Sequence, residues 1–349
     1  MAWHDHLIAW QDPDDQNPQA MYRRPFAERV DLGNAVDAWR LEVMWRKVAV
    51  AGRKLFWQLF HEGDDRLQAL GQTLSEALWN TDQVITVISN EVIVPWSMLY
   101  VPRPGTLSEP DNDFKVDRTA FLGYRHLIEH TFEMKYDLQP DIRHTRLAAG
   151  AYFDEALEVS TVAPVLELLN KYAELGQGTS RQAVEERLRG QGAGDHLIYF
   201  CCHCVEIPDA AELRMTGGEA ISSGDIGFWL GASGGLRGNP FVLVNACKAG
   251  EFGSHPPSHF GSVLLQKGAS SLLGPSVNIP AVFAKSFAEE FLTLVLASKY
   301  AFGRAVRQLA QKYVDSYDNP LGLSYSLFHG IDGHFCLVET SNAAAPAES

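Results

Sequence analysis

The stretch His196-Leu197-Ile198-Tyr199-Phe200-Cys201-Cys202 leads into His203, and Phe241-Val242-Leu243-Val244-Asn245-Ala246 leads in the same way into Cys247-Lys248-Ala249-Gly250. Short, nearly unbroken apolar runs of this kind read as strands buried on both faces. Each run stops where the chain turns polar, so a base and a thiol are expected at one edge of a sheet. An imidazole within reach of a thiol takes its proton, and the thiolate is the reactive species. Open α/β sheets also hold their sites at the carboxyl ends of strands. His203 and Cys247 are therefore the candidate nucleophile dyad, a reading that depends on the pair and not on either member alone.

Outward from these runs, strand and helix signals alternate. Leu147 to Phe153 reads as a strand, Val162 to Leu175 as a helix ended by Gly176, Ala183 to Leu188 as a short helix, and Asp225 to Leu230 as another. A strand at Ser271 to Leu273, helices at Ala281 to Leu296 and Gly303 to Ser316, and an edge strand at Phe335 to Leu337 complete the pattern. Such alternation predicts a mostly parallel sheet covered on both faces. Upstream, Ala35 to His61 reads as a helix with Val36, Trp39, Val43 and Val50 near helical spacing. Arg66 to Trp79 reads as a second helix packing through Leu67, Leu70, Leu74 and Leu78. Val84 to Val94 reads as a hairpin turning at Ser89-Asn90, and Phe121 to Ile128 as a strand.

The two central blocks resemble those of the CHAT family, the bacterial caspase-like domains that stand with caspases, metacaspases and separase among the cysteine peptidases. Members carry an apolar strand ending in His-Gly and a later strand ending in an Asn-Ala-Cys-like triplet followed by Gly. Here those blocks are Phe200 to Cys204 and Val244 to Gly250. Ile93-Val94-Pro95-Trp96-Ser97-Met98-Leu99, Phe121 to Ile128, Gln266 to Ser270 and Asn319-Pro320-Leu321 through Gly330 resemble further family blocks in the same order. The similarity spans roughly residues 70 to 338.

The resemblance implies a caspase-like three-layer α/β/α sandwich with a mostly parallel central sheet, plus a smaller N-terminal α/β part. Proline and acid content predicts a flexible N-terminal arm (1–34), and small polar residues a loose tail (341–349); between them the resemblance implies an α/β region packed on the protease (35–138) and a peptidase domain (139–340). It implies a cysteine endopeptidase in which Cys247 attacks the scissile carbonyl and His203 shuttles the proton. The backbone amides of Cys204 and Cys247 would hold the oxyanion. Cys204 stands where the family has Gly: it keeps the N–H, but a side chain there needs room, and only Gly enters positive φ freely. A catalytically impaired protein-binding module is accordingly the alternative function. Caspase-like enzymes read the residue before the scissile bond near the sheet edge, where the loop after the first protease strand begins Asp154-Glu155. Asp154 is thus a candidate contact to Arg or Lys, against the plainer reading of a solvated acidic turn, and Asn245 is a further candidate substrate contact. A protein substrate, an activating partner or ligand, and a defence or signalling role, with a gasdermin-like target among those known in the family, follow from the resemblance alone.

Composition sets outer limits. Across 349 residues, 46% are hydrophobic, enough for a large core, and the formal charge of -14 argues against a nucleic-acid surface. The opening Met1-Ala2-Trp3-His4-Asp5-His6 lacks a secretory pattern, no apolar run is long enough to span a bilayer, and five cysteines supply no even framework. A cytoplasmic protein is expected, with no metal or organic cofactor required. Cys201-Cys202-His203-Cys204 alternates faces and lacks a second ligand pair, so it reads as strand and not as a metal motif. Gly231-Ala232-Ser233-Gly234-Gly235 matches the letters of a serine-hydrolase elbow but follows a helix and precedes a strand, the reverse of what that elbow needs. Ser222-Ser223-Gly224-Asp225 has capping-box spacing. After Cys247 the polar stretch from Glu251 to His259 is too short for an excisable linker. Control is expected from the ordering of a loop, with Met215 to Gly224 and His255 to His259 as candidates.

Overall fold

The computed structural model describes residues 24–90, 94–106, 114–133, 139–207, 210–246 and 258–338. Its strands are β1 (Val84–Ile88), β2 (Leu127–Thr131), β3 (Ile142–His144), β4 (Ala148–Phe153), β5 (Glu174–Gly178) and β6 (Leu197–Ile207). They continue with β7 (Ala210–Arg214), β8 (Ala220–Ser222), β9 (Phe241–Ala246), β10 (Ser271–Pro275), β11 (Tyr325–Phe328) and β12 (Phe335–Leu337). The helices are α1 (Pro25–Glu28), α2 (Ala38–Phe60), α3 (Asp65–Asn80), α4 (Leu122–Arg125) and α5 (Val159–Tyr172). After them come α6 (Arg181–Arg189), α7 (Ser223–Ser233), α8 (Ser258–Gln266), α9 (Ala281–Leu292) and α10 (Phe302–Tyr317).

The main sheet runs β1-β2-β11-β10-β9-β6-β4-β5. Along this path every neighbouring pair is parallel except β10 with β11. The chain leaves β4 for β5 on one side and returns to β6 on the other, which makes a topological switch point between β4 and β6.

Alternation along the central strands sorts their side chains into two cores. Leu197, Tyr199 and Cys201 of β6 and Phe241 and Leu243 of β9 pack with Val165 and Leu169 of α5 and Phe283 and Phe287 of α9. The intervening Ile198, Phe200, Cys202, Val242 and Val244 pack with Val184 and Leu188 of α6, Trp229 and Leu230 of α7 and Leu264 of α8. With helices on both faces, β9 is buried at every residue, which is why its sequence shows no polar alternation. Each such Leu or Phe contributes about 1.5–3 kcal/mol on full burial, so the middle of the sheet is its most strongly held part.

Several sequence expectations are revised. Val84 to Val94 is not a hairpin in its described part: β1 pairs in parallel with β2, forty-odd residues on, and residues 91–93 lie outside the described residues. The strand foreseen at Phe121 to Ile128 begins only at Leu127, after the short helix α4. The expected helix end near Gly176 is instead β5, where the guanidinium of Arg187 occupies the space a Cβ on Gly176 would take. Phe335 to Leu337 does not close the main sheet; it pairs with β3 in a separate two-stranded sheet, and the antiparallel member is the unforeseen β11. On α2 the buried face is Leu41, Met44, Trp45, Val48 and Phe56, while Trp39 is 60% exposed and Val43 is also exposed. Leu67 and Leu70 of α3 are likewise exposed, because the face that helix buries is that of Gly71, Ser75 and Leu78. Met215 to Gly224, foreseen as a loop, holds a short turn, β8 and the start of α7, whose capping box joins Ser222 and Asp225 as the sequence indicated.

His126 is 3% exposed, and its Nδ1 accepts the Gln83 backbone N–H at 3.0 Å. Burial first, then the Arg125 charge, lowers its pKa to about 4. His130, His144 and His196 are lowered in the same direction, chiefly by burial. A histidine whose folded pKa is depressed contributes stability that is present above its unfolded value near 6.5 and is lost as pH falls toward the folded value. For His126 the interval from 6.5 to about 4 corresponds to roughly 3 kcal/mol. The melting temperature should therefore fall as pH drops from 7 to 4. In His126→Asn, whose amide oxygen can take the Gln83 N–H without titrating, that decline should be shallower, and an identical slope would remove His126 as its cause.

Candidate functional site

The parallel part of β6 ends nearly level with the carboxyl ends of β4 and β9. Phe153 of β4 is in register with Cys201, Cys201 with Asn245, and Cys202 with Ala246. Parallel pairing between β6 and β9 therefore ends at Cys202 and Ala246, so His203 and residue 247 each follow directly on two paired residues. Cys247 itself lies outside the described residues.

β6 does not end before His203 as its sequence suggested. It runs on to Ile207 and leaves the parallel sheet to form an antiparallel ribbon with β7, in which His203 is opposite Arg214 and Cys204 opposite Leu213. Cys202 and Cys204 belong to the core beneath α7 and α8. His203, between them, is thus on the α5 and α9 face, the same side as Cys201 and Tyr199, and is half-buried. Arg214 lies between the buried Leu213 and Met215 and so shares that face with His203. Its guanidinium pairs with Glu212 at 2.8 Å and donates to the Gly218 carbonyl at 3.1 Å.

Cys204, the departure from the family's Gly, is 3% exposed with its side chain in the core opposite His203. It is not among the non-glycine residues of positive φ. Neither crowding nor backbone strain at this position follows from replacing Gly with Cys. The Cys201 thiol is pushed up to about 11, by burial above all and then by the Asp154 charge, partly offset by its hydrogen bond with Tyr199. It is a neutral core group.

Asn245, expected as a substrate contact, is fully buried. Its amide donates to the Ala284 carbonyl at 2.8 Å and to the Tyr199 hydroxyl at 3.5 Å, and its oxygen accepts from the Tyr325 hydroxyl at 2.6 Å. Tyr325 is stacked on Phe287 with centroids 3.6 Å apart. With no surface to offer a ligand, Asn245 is a strut tying the end of β9 to β6, α9 and β11. Tyr199 and Tyr325 are parts of this end of the sheet that sequence reasoning missed; inside apolar runs each reads as one more core aromatic, and only the contact reveals the hydroxyl's partner.

Asp154 follows directly on β4 and is buried. Its N–H bonds to the Cys201 carbonyl at 3.1 Å, and its Oδ1 accepts the Ala156 N–H at 2.9 Å. The next residue, Glu155, donates its N–H to the Thr216 hydroxyl at 2.9 Å, which fastens this segment to the turn after β7. Among the described residues no Lys or Arg forms an ion pair with Asp154. The solvated acidic turn is therefore not its environment. Ser233 sits at the end of α7 with its hydroxyl donating to the Leu230 carbonyl at 3.2 Å, and Gly234 caps the helix at φ 80°, so no strand-to-helix elbow exists there. A cavity of about 690 Å³ lies in the N-terminal part between Arg53, Trp79, Arg103 and Phe114, and none of the residues above lines it.

No family model matches the chain, and no curated protein sequence matches it. Among solved structures it is similar to the Drosophila initiator caspase Dronc, with a TM-score of 0.38 and 5% identity over 58% of this chain and 87% of that one. It is also similar to the Saccharomyces cerevisiae separase–securin complex, at TM-score 0.42 and 9% identity over 62% of this chain and 15% of that chain. A second structure of that complex gives 0.38 and 11%, over 60% and 14%. Such scores are too low to carry an inference about activity. Among the described residues no helix is long and apolar enough to cross a membrane. By its own strand order the chain is an α/β sandwich with a mostly parallel central sheet between two helical layers, similar in outline to these caspase and separase chains.

Proposed function

We propose that this chain is a cysteine endopeptidase of the CHAT, caspase-like type, with Cys247 as nucleophile and His203 as its base. The observation that carries the reading is the register of β6 and β9: paired through Cys202 and Ala246, they lead into the only two residues that the sequence singles out as base and thiol. His203 follows the last residue of β6 paired in parallel with β9, and Cys247 follows the last residue of β9 in sequence, beside the switch point between β4 and β6, where open α/β sheets place their ligands.

In this mechanism His203 takes the Cys247 proton and the thiolate attacks the scissile carbonyl. The backbone amides of Cys204 and Cys247 hold the oxyanion. Protonated His203 gives its proton to the leaving amine. It then takes one from the water that hydrolyses the thioester, which returns the thiol. Asn245 acts as a positioning residue, bracing the strand that leads to Cys247. Asp154, buried without a basic partner among the described residues, favours a substrate with Arg or Lys before the scissile bond. A cytoplasmic setting, a defence or signalling role, a switching partner or ligand, and a neighbouring protein such as a gasdermin-like pore former as target follow the family resemblance. The alternative, a catalytically impaired protein-binding module, drew on Cys204, whose side chain is buried on the face opposite His203.

A thiol-directed covalent probe tests the assignment. Activated protein should label at Cys247, and His203→Ala should lose most of that labelling while Cys201, Cys202 and Cys204 stay unlabelled. Equal labelling of Cys247 without His203 would leave the thiol without an activating base and remove the dyad.

A further inference from the structure

Far along the chain from His203 and Cys247, the two-stranded sheet of β3 and β12 carries a second group of chemically able side chains. The strands are parallel, with Phe335 opposite Ile142 and Cys336 opposite Arg143. Phe335 and Ile142 point into the main core. The residues flanking them in alternation, His334 and Cys336 on one strand and Asp141 and Arg143 on the other, share the outer face. The His334 Nδ1 is 3.1 Å from the Asp141 Oδ1, and both residues are partly exposed. One ligand atom from each of Asp141, His334 and Cys336 lies within 4.8 Å of the other two.

We propose that Asp141, His334 and Cys336 bind a divalent transition metal, zinc in the first instance. Carboxylate oxygen, imidazole nitrogen and thiolate sulfur are all ligands zinc accepts, and bond lengths of about 2.0–2.3 Å around a tetrahedral ion put donor atoms roughly 3.5 Å apart. The present separations, all within 4.8 Å, exceed that by little more than about 1 Å at most. The mixed donor set, with one soft sulfur, disfavours magnesium or calcium, which take oxygen. Water would complete the coordination.

The fold supplies a reason for such a clip. Two strands of three residues each are marginal by themselves, yet β3 precedes β4 closely and β12 closes the described chain. A metal held by both strands would stabilise their pairing by binding only the folded form. Arg143, opposite Cys336, places a positive charge beside the site and opposes binding, which sets the affinity below that of a closed four-ligand centre.

The experiment uses the full chain carrying Cys247→Ala, so that the proposed nucleophile and His203 cannot supply a competing thiol site. Cobalt(II) is titrated while the near-ultraviolet thiolate-to-cobalt absorption is read. One equivalent should saturate the band, zinc should displace it, and Cys336→Ser should abolish it. His334→Ala and Asp141→Asn should each weaken binding by roughly tenfold or more. Absence of a thiolate band in the Cys247→Ala parent would overturn the proposal without reference to any further variant. So would a band that persists undiminished in Cys336→Ser.

Discussion

Cys247→Ala should abolish peptide-bond cleavage, lowering turnover by at least roughly ten-thousandfold, while leaving the melting temperature nearly unchanged. The loss is large because no other group in the mechanism can form the acyl intermediate. The expected stability follows from position: what holds β9 is its wholly buried run from Phe241 to Ala246, one residue short of Cys247. His203→Ala should behave alike, and the double variant should be no worse than either single one, since members of one catalytic unit are not additive. Activity is measured on proteins encoded beside this one, by mass spectrometry of newly formed termini. Substantial cleavage by Cys247→Ala would end the assignment, and a double variant far below both singles would mean that the two residues do not act as a unit.

Asp154 should control selectivity. Removing one member of a buried, hydrogen-bonded charge pair costs about 2–5 kcal/mol. Asp154→Ala should therefore lower kcat/KM for substrates with Arg or Lys before the scissile bond by roughly thirtyfold or more. Cleavage after uncharged residues should change much less. The contrast matters, because the Asp154 carboxylate also accepts the Ala156 N–H, so a merely structural role would depress all substrates together. A peptide library read before and after the substitution separates the cases. Intrinsic preference for Asp at that position, or an undiminished preference for Arg in the variant, would exclude Asp154 as the specificity residue.

The sequence by itself determined the middle of this protein. Strands buried on both faces must be apolar throughout, so β4, β6, β9 and β10 announced themselves, and the ends of two of those runs pointed to His203 and Cys247, although β6 itself continues past His203 to Ile207. Capping chemistry at Ser222 and Asp225 and the helix-to-strand order around Ser233 were local and equally legible. Tertiary structure decided what depends on distant partners. β5, Glu-Leu-Gly-Gln-Gly, lacks every propensity signal for a strand and exists because β4 offers it a backbone edge and Arg187 crosses its glycine. β1 has its partner in β2 and not in the next residues, a choice of non-local pairing that no turn signal encodes. Asn245 was a candidate substrate contact in the block that resembles the family's nucleophile strand. The hydroxyls of Tyr199 and Tyr325 and the carbonyl of Ala284 consume its hydrogen bonds, and those groups come from three separate elements. In the same way Cys204 was ambiguous as a letter, since its effect turns on which face of β6 it occupies. The register of β6 against β9 and β7 settles that by burying its sulfur under α7 and α8, away from His203.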